Sequence, residues 1–250
     1  MSPLHIVEVI LAGVGAGAIN SMVGSGSLLT FPLLLAIGYS PVVANASNTV
    51  GVVPGAVLGA YGYRAELKGQ WPFVARLAVV SALGGACGAT LFLVLPPGVF
   101  KTVVPVLIGL ACVLIVLQPL ITKRAAVSST DTPSRSLTPG LVACLFLVGI
   151  YGGYFGGGQG IMLLAILGLF LHESLQQVNG TKNVLAATAN AVAAVAFTIA
   201  GHVAWEPALL IAAGSAVGGT LGARYGRRLS PQLLRCVIVA VGVVTIVRLA

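Results

Sequence analysis

The chain nearly repeats itself after 134 positions, which limits its fold to two copies of one structural unit. Trp71 returns as Trp205, Ser81-Ala82 as Ser215-Ala216, Gly84-Gly85 as Gly218-Gly219 and Gly88-Ala89 as Gly222-Ala223. Asn45 and Val50 return as Asn179 and Val184, Pro97 as Pro231, and basic Lys101 as basic Arg235. No gap is needed between Asn45 and Lys101. Both copies are almost wholly apolar and rich in glycine, a pattern found in transporters whose site lies where two repeats meet.

Of 250 residues, 58% are hydrophobic and 7% charged, against about 25% charged in soluble domains. The mean hydropathy is +1.05. So few charges cannot cover a water-soluble globule of this size, and the chain reads as an integral membrane protein. Its apolar runs are continuous and about 20 residues long, the length of a spanning helix, and do not alternate as barrel strands do. An all-α, polytopic fold is expected. The net charge of +8 sits in short loops, where the positive-inside rule accounts for it; nucleic acid is not an expected partner. The stretch Met1 to Glu8 has no cationic region and does not read as a cleaved signal peptide.

Punctuation divides the runs. A first region, Leu4 to Ile37, is too long for one crossing and is broken at Gly24-Ser25-Gly26-Ser27. Spans follow at Pro41–Tyr61, Trp71–Leu95 and Val99–Ile121. A polar stretch, residues 122–138, separates an N-terminal unit (1–121) from a C-terminal one (139–250). The second unit begins at Pro139, is broken at Gly156-Gly157-Gly158-Gln159-Gly160, and continues as Leu175–Ala200, Trp205–Ala223 and Pro231–Leu249.

Basic clusters lie at Arg64 and Lys68, at Lys123, Arg124 and Arg135 in the linker, and at Arg224, Arg227 and Arg228. All three are expected on the cytoplasmic side, with the turn Pro96-Pro97-Gly98 outside. Where one copy has a basic cluster the other lacks it: Arg64 and Lys68 correspond to Thr198 and His202, and Arg224, Arg227 and Arg228 to Thr90, Leu93 and Val94. Similar sequence with opposite charge bias predicts inverted-topology repeats. Lys101, on the external side, would snorkel outward. Each inverted copy must cross an odd number of times, so three clean spans require the broken first region to enter and leave on one side. The rival arrangement is a kinked helix there, with eight crossings and parallel repeats.

The two breaks are the first candidate site residues: Gly24, Ser25, Gly26 and Ser27, and Gly157, Gly158, Gln159 and Gly160. Irregular backbone at membrane depth is tolerated only where it is buried in protein or lines a cavity, and the start of the following half-helix suits an anion. Glycine used for close helix packing is the competing account, and it fits Gly84-Gly85 and Gly218-Gly219. Polar clusters head the span after each break, with Asn48 and Thr49 in one copy and Thr181, Lys182 and Asn183 in the other; Asn190 follows along the second. Lys182 either carries function as an intramembrane charge or snorkels to the surface.

Of five acidic residues, Glu66 and Asp131 are in loops and Glu8, Glu173 and Glu206 are at span ends. With no carboxylate at the membrane centre, a proton relay has no obvious carrier. Anion export needs no coupling, since the potential favours it by about 2.3 kcal/mol per charge per 100 mV. Cys87, Cys112, Cys144 and Cys236 lie in apolar stretches without CxxC spacing. They read as packing residues or, alternatively, as a thiol for a sulfur substrate. No GxSxG, HExxH or metal-ligand cluster is present, so no cofactor or metal is expected. Ser25 with His172 or His202 is the one conceivable nucleophile–base pair for an intramembrane enzyme.

In its two glycine-rich breaks, the polar starts Asn45 to Thr49 and Asn179 to Asn183, Asn190, and the lead-in Gly201 to Trp205, the chain resembles the sulfite exporter TauE/SafE family of bacterial membrane permeases over essentially its whole length. The first break departs from the plain triple glycine of many members. The resemblance implies a multi-pass protein of a bacterial inner membrane that moves sulfur-containing anions: sulfite, or sulfonates such as sulfoacetate. The expected activity is a secondary transporter exporting a small anion by alternating access. An anion channel, a proton-coupled permease for another small metabolite and a scaffold that moves nothing are the alternatives. The expected partners are the anion and the lipid bilayer, with a homodimer allowed.

Overall fold

A computed structural model describes residues 1–127 and 136–225, all of whose regular structure is helical. The expected span Pro231–Leu249, with Arg227, Arg228, Arg235 and Cys236, lies outside the described residues, as do residues 128–135 of the linker. The helices are α1 (Pro3–Met22), α2 (Ser27–Ala36), α3 (Pro41–Gly62), α4 (Trp71–Val94), α5 (Pro97–Val127), α6 (Pro139–Tyr154), α7 (Gln159–Phe170), α8 (Leu175–Ile199) and α9 (Trp205–Tyr225). Local chemistry sets their starts. Ser2, Ser40, Thr138 and Ser174 each accept a backbone N–H with the side-chain oxygen as N-cap, and proline opens α1, α3 and α6. α5 runs to Val127, past the expected end at Ile121.

Five of these helices are long and apolar enough to cross a membrane: α1, α3, α4, the Pro97–Leu117 part of α5, and α8. α6 is shorter, at 16 residues. α9 is not among the five; it carries Glu206 in its first turn and Arg224 in its last, whereas α4, with the corresponding Gly84, Gly85 and Gly88, is among them. The glycines of α9 at 214, 218, 219 and 222 are buried. Those glycines have a packing role. A Cβ at Gly218 would stand 1.9 Å from the Val14 carbonyl oxygen, and one at Gly84 would stand 2.4 Å from that of Phe146. The backbones of α9 and α1, and of α4 and α6, therefore meet as small-residue interfaces do in membranes.

The broken first regions are helical hairpins. Gly26 at the head of α2 lies against Ala16 of α1, and Leu29 against Gly15. In the second unit Gln159 lies against Gly152, and Phe170, at the far end of α7, against Gly140 near the start of α6. The two hairpins match at a spacing of 132 rather than 134: Ile19 corresponds to Tyr151 and Gly24 to Gly156. The 134 register begins at α3, because α7 has 12 residues where α2 has 10.

The related helices exchange partners across the molecule. α9 packs between α1 and α3, while α4 packs between α6 and α8. The hydroxyl of Ser215 donates to the Gly51 carbonyl at 2.7 Å, and that of Ser81 to the Leu185 carbonyl at 3.0 Å; these are the same contact in the two copies. α3 and α8 run in opposite directions. Tyr63, at the end of α3, meets Asn179 at the start of α8, and Ser47, early in α3, accepts the N–H of Ala204 beyond the end of α8. A leucine at Gly84 or Gly218 should separate these pairs and lower stability by about 1–3 kcal/mol, the usual effect of overpacking. Gly98→Ala, where nothing lies within 4 Å, should leave thermal unfolding in detergent unchanged.

Candidate functional site

The site grows from the two hairpin tips. In the first, the Ile19 carbonyl accepts the N–H groups of both Val23 (2.7 Å) and Gly24 (2.9 Å); in the second, the Tyr151 carbonyl accepts those of Phe155 (2.9 Å) and Gly156 (3.1 Å). Gly24 and Gly156 then take φ of 86° and 77°, where only glycine is unstrained, and the chain turns back. The tips touch. The Gly160 N–H donates to the Gly24 carbonyl at 3.0 Å, and a Cβ at Gly24 would lie 2.3 Å from the Gly160 Cα.

A helix that stops inside protein leaves its last carbonyls without intrahelical donors, and here the opposite copy supplies them. Asn179 Nδ2 donates to the Ser21 carbonyl at 3.2 Å, near the end of α1. Its counterpart Asn45 donates to the Tyr154 carbonyl at 3.1 Å, the end of α6. Asn183 Nδ2 also reaches Ser21 O at 3.1 Å. Lys182 Nζ reaches Asn20 O at 3.1 Å and Ser21 O at 3.4 Å. Lys182 lies seven residues into α8, about 10 Å along its axis, and is 0% exposed. Its ammonium faces the α1 terminus instead of snorkelling to the surface.

Between the tips lies a cavity, with about 20 Å³ open to the centre of a water-sized sphere, room for about one water. Three pairs of corresponding positions line it: Gly24 with Gly156, Ser27 with Gln159, and Ala56 with Asn190. The remaining polar lining is one-sided, from Asn20, Lys182 and Asn183. Asn20 Oδ1 accepts the Gly26 N–H at 2.7 Å. That bond engages Oδ1 and leaves the Nδ2 donors uncommitted. No carboxylate is among the described residues that line the cavity.

Of the residues singled out in sequence, Gly24, Ser27, Gln159, Gly160, Lys182, Asn183 and Asn190 border the cavity. The others do not. Asn48 is bonded to Thr30 within its own copy, and Thr49 is buried on the same helix. The Gly26 N–H is taken by Asn20, and the Gly157 carbonyl accepts the Tyr151 hydroxyl. Gly158 caps α7 at φ 81°. Thr181 lies about 100° around α8 from Lys182, and its hydroxyl is buried without a hydrogen-bond partner, as is that of Ser25. Ser25 therefore makes no bond to His172 or His202. The described cysteines are free and do not border the cavity. Sequence reasoning missed Asn20, whose signal was a polar Asn20-Ser21 pair in an apolar run.

The sequence profile of the sulfite exporter TauE/SafE family matches residues 9–249. The chain belongs to that family. It is a multi-pass membrane protein with bacterial relatives. A Sinorhizobium protein named probable membrane transporter protein ORF9 is 28% identical over 94% of this chain and 88% of its own length. A Haemophilus influenzae protein named probable membrane transporter protein is 28% identical over 91% and 87%. Probable membrane transporter protein YfcA of Escherichia coli K12 is 26% identical over 98% and 89%. No solved structure matches the chain.

The cross-copy caps make a direct prediction. Asn45→Leu removes the cross-copy donor of the Tyr154 carbonyl and should destabilise by about 1–3 kcal/mol in thermal or denaturant unfolding; Asn179→Leu should cost less, since Asn183 and Lys182 still reach the Ser21 carbonyl. The double variant should lose close to the sum if the two caps act at separate helix ends.

Proposed function

We propose that this TauE/SafE family member is a secondary transporter of a small sulfur-containing anion, sulfite or an organosulfonate, with the cavity between the hairpin tips as its binding site. The observation that carries the reading is the donor inventory of that cavity. Three lining residues carry hydrogen-bond donors that their bonds to Gly26 and to α1 do not use up, the Nδ2 of Asn20, the third N–H of Lys182 and the hydroxyl of Ser27, with no carboxylate among the described lining residues. An oxyanion offers acceptors to all three. Gln159, Asn183 and Asn190 complete the polar wall.

Alternating access is the mechanism. The chain is read as two inverted repeats, 1–121 and 139–250, joined by a cytoplasmic linker, 122–138. The opposite run of α3 and α8 and the exchanged packing of α4 and α9 support this arrangement. So does the placing of Arg64 and Arg224 at one end of the molecule, where Gly62 lies against Ala223. The space of one water is too small for a sulfur oxyanion, so the hairpins must part from the facing helices on one side and then the other. The membrane potential drives a monoanion outward, and export is the direction that needs no second ion.

The test is flux from purified protein in liposomes loaded with sulfite, sulfoacetate, thiosulfate, sulfate or chloride. Saturable movement of one sulfur anion, indifferent to a proton gradient, is expected. Lys182→Ala should lower it about 10- to 100-fold, matching the ~1.5–3 kcal/mol of a hydrogen bond to a charged group. Asn20→Asp keeps an acceptor for Gly26 N–H but replaces the donors with negative charge, and should lower apparent affinity for the anion. Flux of none of these anions, or equal flux in Asn20→Asp, overturns the reading.

A further inference from the structure

The Lys182 ammonium occupies a position that in other transporters takes a mobile ion. Where helices break at the middle of a transporter, the carbonyls at half-helix C-terminal ends coordinate the coupling cation. The end of α1 has that geometry, with the Asn20 and Ser21 carbonyls presented to α8 and the partial negative charge of a helix terminus behind them. Lys182 Nζ lies on this pair at 3.1 and 3.4 Å and is fully buried. The arrangement is not repeated at the other break. The end of α6 is met by the neutral Asn45, and Asn48, which corresponds to Lys182, bonds to Thr30 instead. One helix end of the two therefore receives a cation, and the cation is covalently part of the chain. With no carboxylate among the cavity's described lining residues, the helix end is the negative feature to which that charge is matched.

We infer that Lys182 is a tethered cation filling what would otherwise be a monovalent-cation site, so that anion movement by this chain needs no sodium or potassium. The functional half of this statement rests on the anion-transport reading; occupancy of the carbonyl pair stands on the geometry alone. Sodium and the ammonium group cannot share two carbonyls at these distances, so the wild-type chain offers sodium no place there. Removing the side chain beyond Cβ opens the place.

The experiment is thermal unfolding of the full chain in detergent, at constant ionic strength in choline chloride, with sodium, potassium, ammonium or methylammonium chloride exchanged in. Wild type should unfold at one temperature in all of them. Lys182→Ala should unfold several degrees lower in choline and recover saturably with ammonium or another small monovalent cation. Lys182→Gln, whose carboxamide fills the space without charge, should be less stable than wild type and indifferent to the salt. Saturable stabilisation of wild type by sodium, Lys182→Gln equal to wild type, or a folded Lys182→Ala insensitive to every cation would each overturn the inference. If Lys182→Ala does not fold, the wild-type and Lys182→Gln arms still decide. Flux of wild type in sodium against choline separates the two readings. Sodium-dependent flux sinks the tethered cation and spares the transporter, whereas salt-indifferent unfolding without flux of any sulfur anion sinks the substrate assignment alone.

Discussion

A helix that ends inside an apolar surrounding must find donors for its last carbonyls, and this structure depends on how two such ends are satisfied. Water and lipid cannot do it. Asn45 and Asn179 do, each reaching from one copy to the broken helix of the other. Because each cap crosses between copies, neither hairpin can be fully satisfied without its counterpart. The glycines at the tips follow from the same requirement. Gly24 and Gly160 approach so closely that either side chain would collide with the opposite backbone, and that approach brings the two helix ends within reach of α3 and α8.

Duplication supplies the frame and divergence supplies the chemistry. Three pairs of corresponding positions set the shape of the cavity, but Asn190 stands opposite Ala56, and Gln159 opposite Ser27. The charge is one-sided, with Lys182 on α8 and neutral Asn48 at the matching place on α3. A site on a pseudo-twofold axis can thus be held symmetrically by backbone and still present one positive group to one ligand. The packing interfaces show less divergence: Ser81 and Ser215 make the same contact in both copies.

Much of this was legible in the sequence, for identifiable reasons. The 134-residue register exposed α3, α4, α8 and α9 and their starts at Pro41, Trp71, Leu175 and Trp205, because interface glycines, serines and capping asparagines were kept in both copies. The glycine runs marked the tips, and the isolation of Lys182 in an apolar span marked the charge. Three things were not legible. The hairpins match at 132 because α7 is two residues longer than α2, a shift hidden by the similarity of glycine runs. The acceptors of Lys182 are backbone carbonyls, which leave no residue signature. The orientation of each polar cluster also depends on tertiary packing: Asn48 turns to Thr30, and Thr181 is not at the cavity although it stands beside Lys182, which borders it.

The central claim is that the space between the hairpin tips holds an oxyanion. The most direct measurement is an experimental structure of the purified chain with selenite, a heavier relative of sulfite, located by its anomalous scattering. A selenium peak within hydrogen-bond reach of Lys182 Nζ and Asn20 Nδ2, with the tips moved apart to admit it, is the predicted result. A peak bound elsewhere in the protein, with the cavity still closed around a single water, would contradict the account.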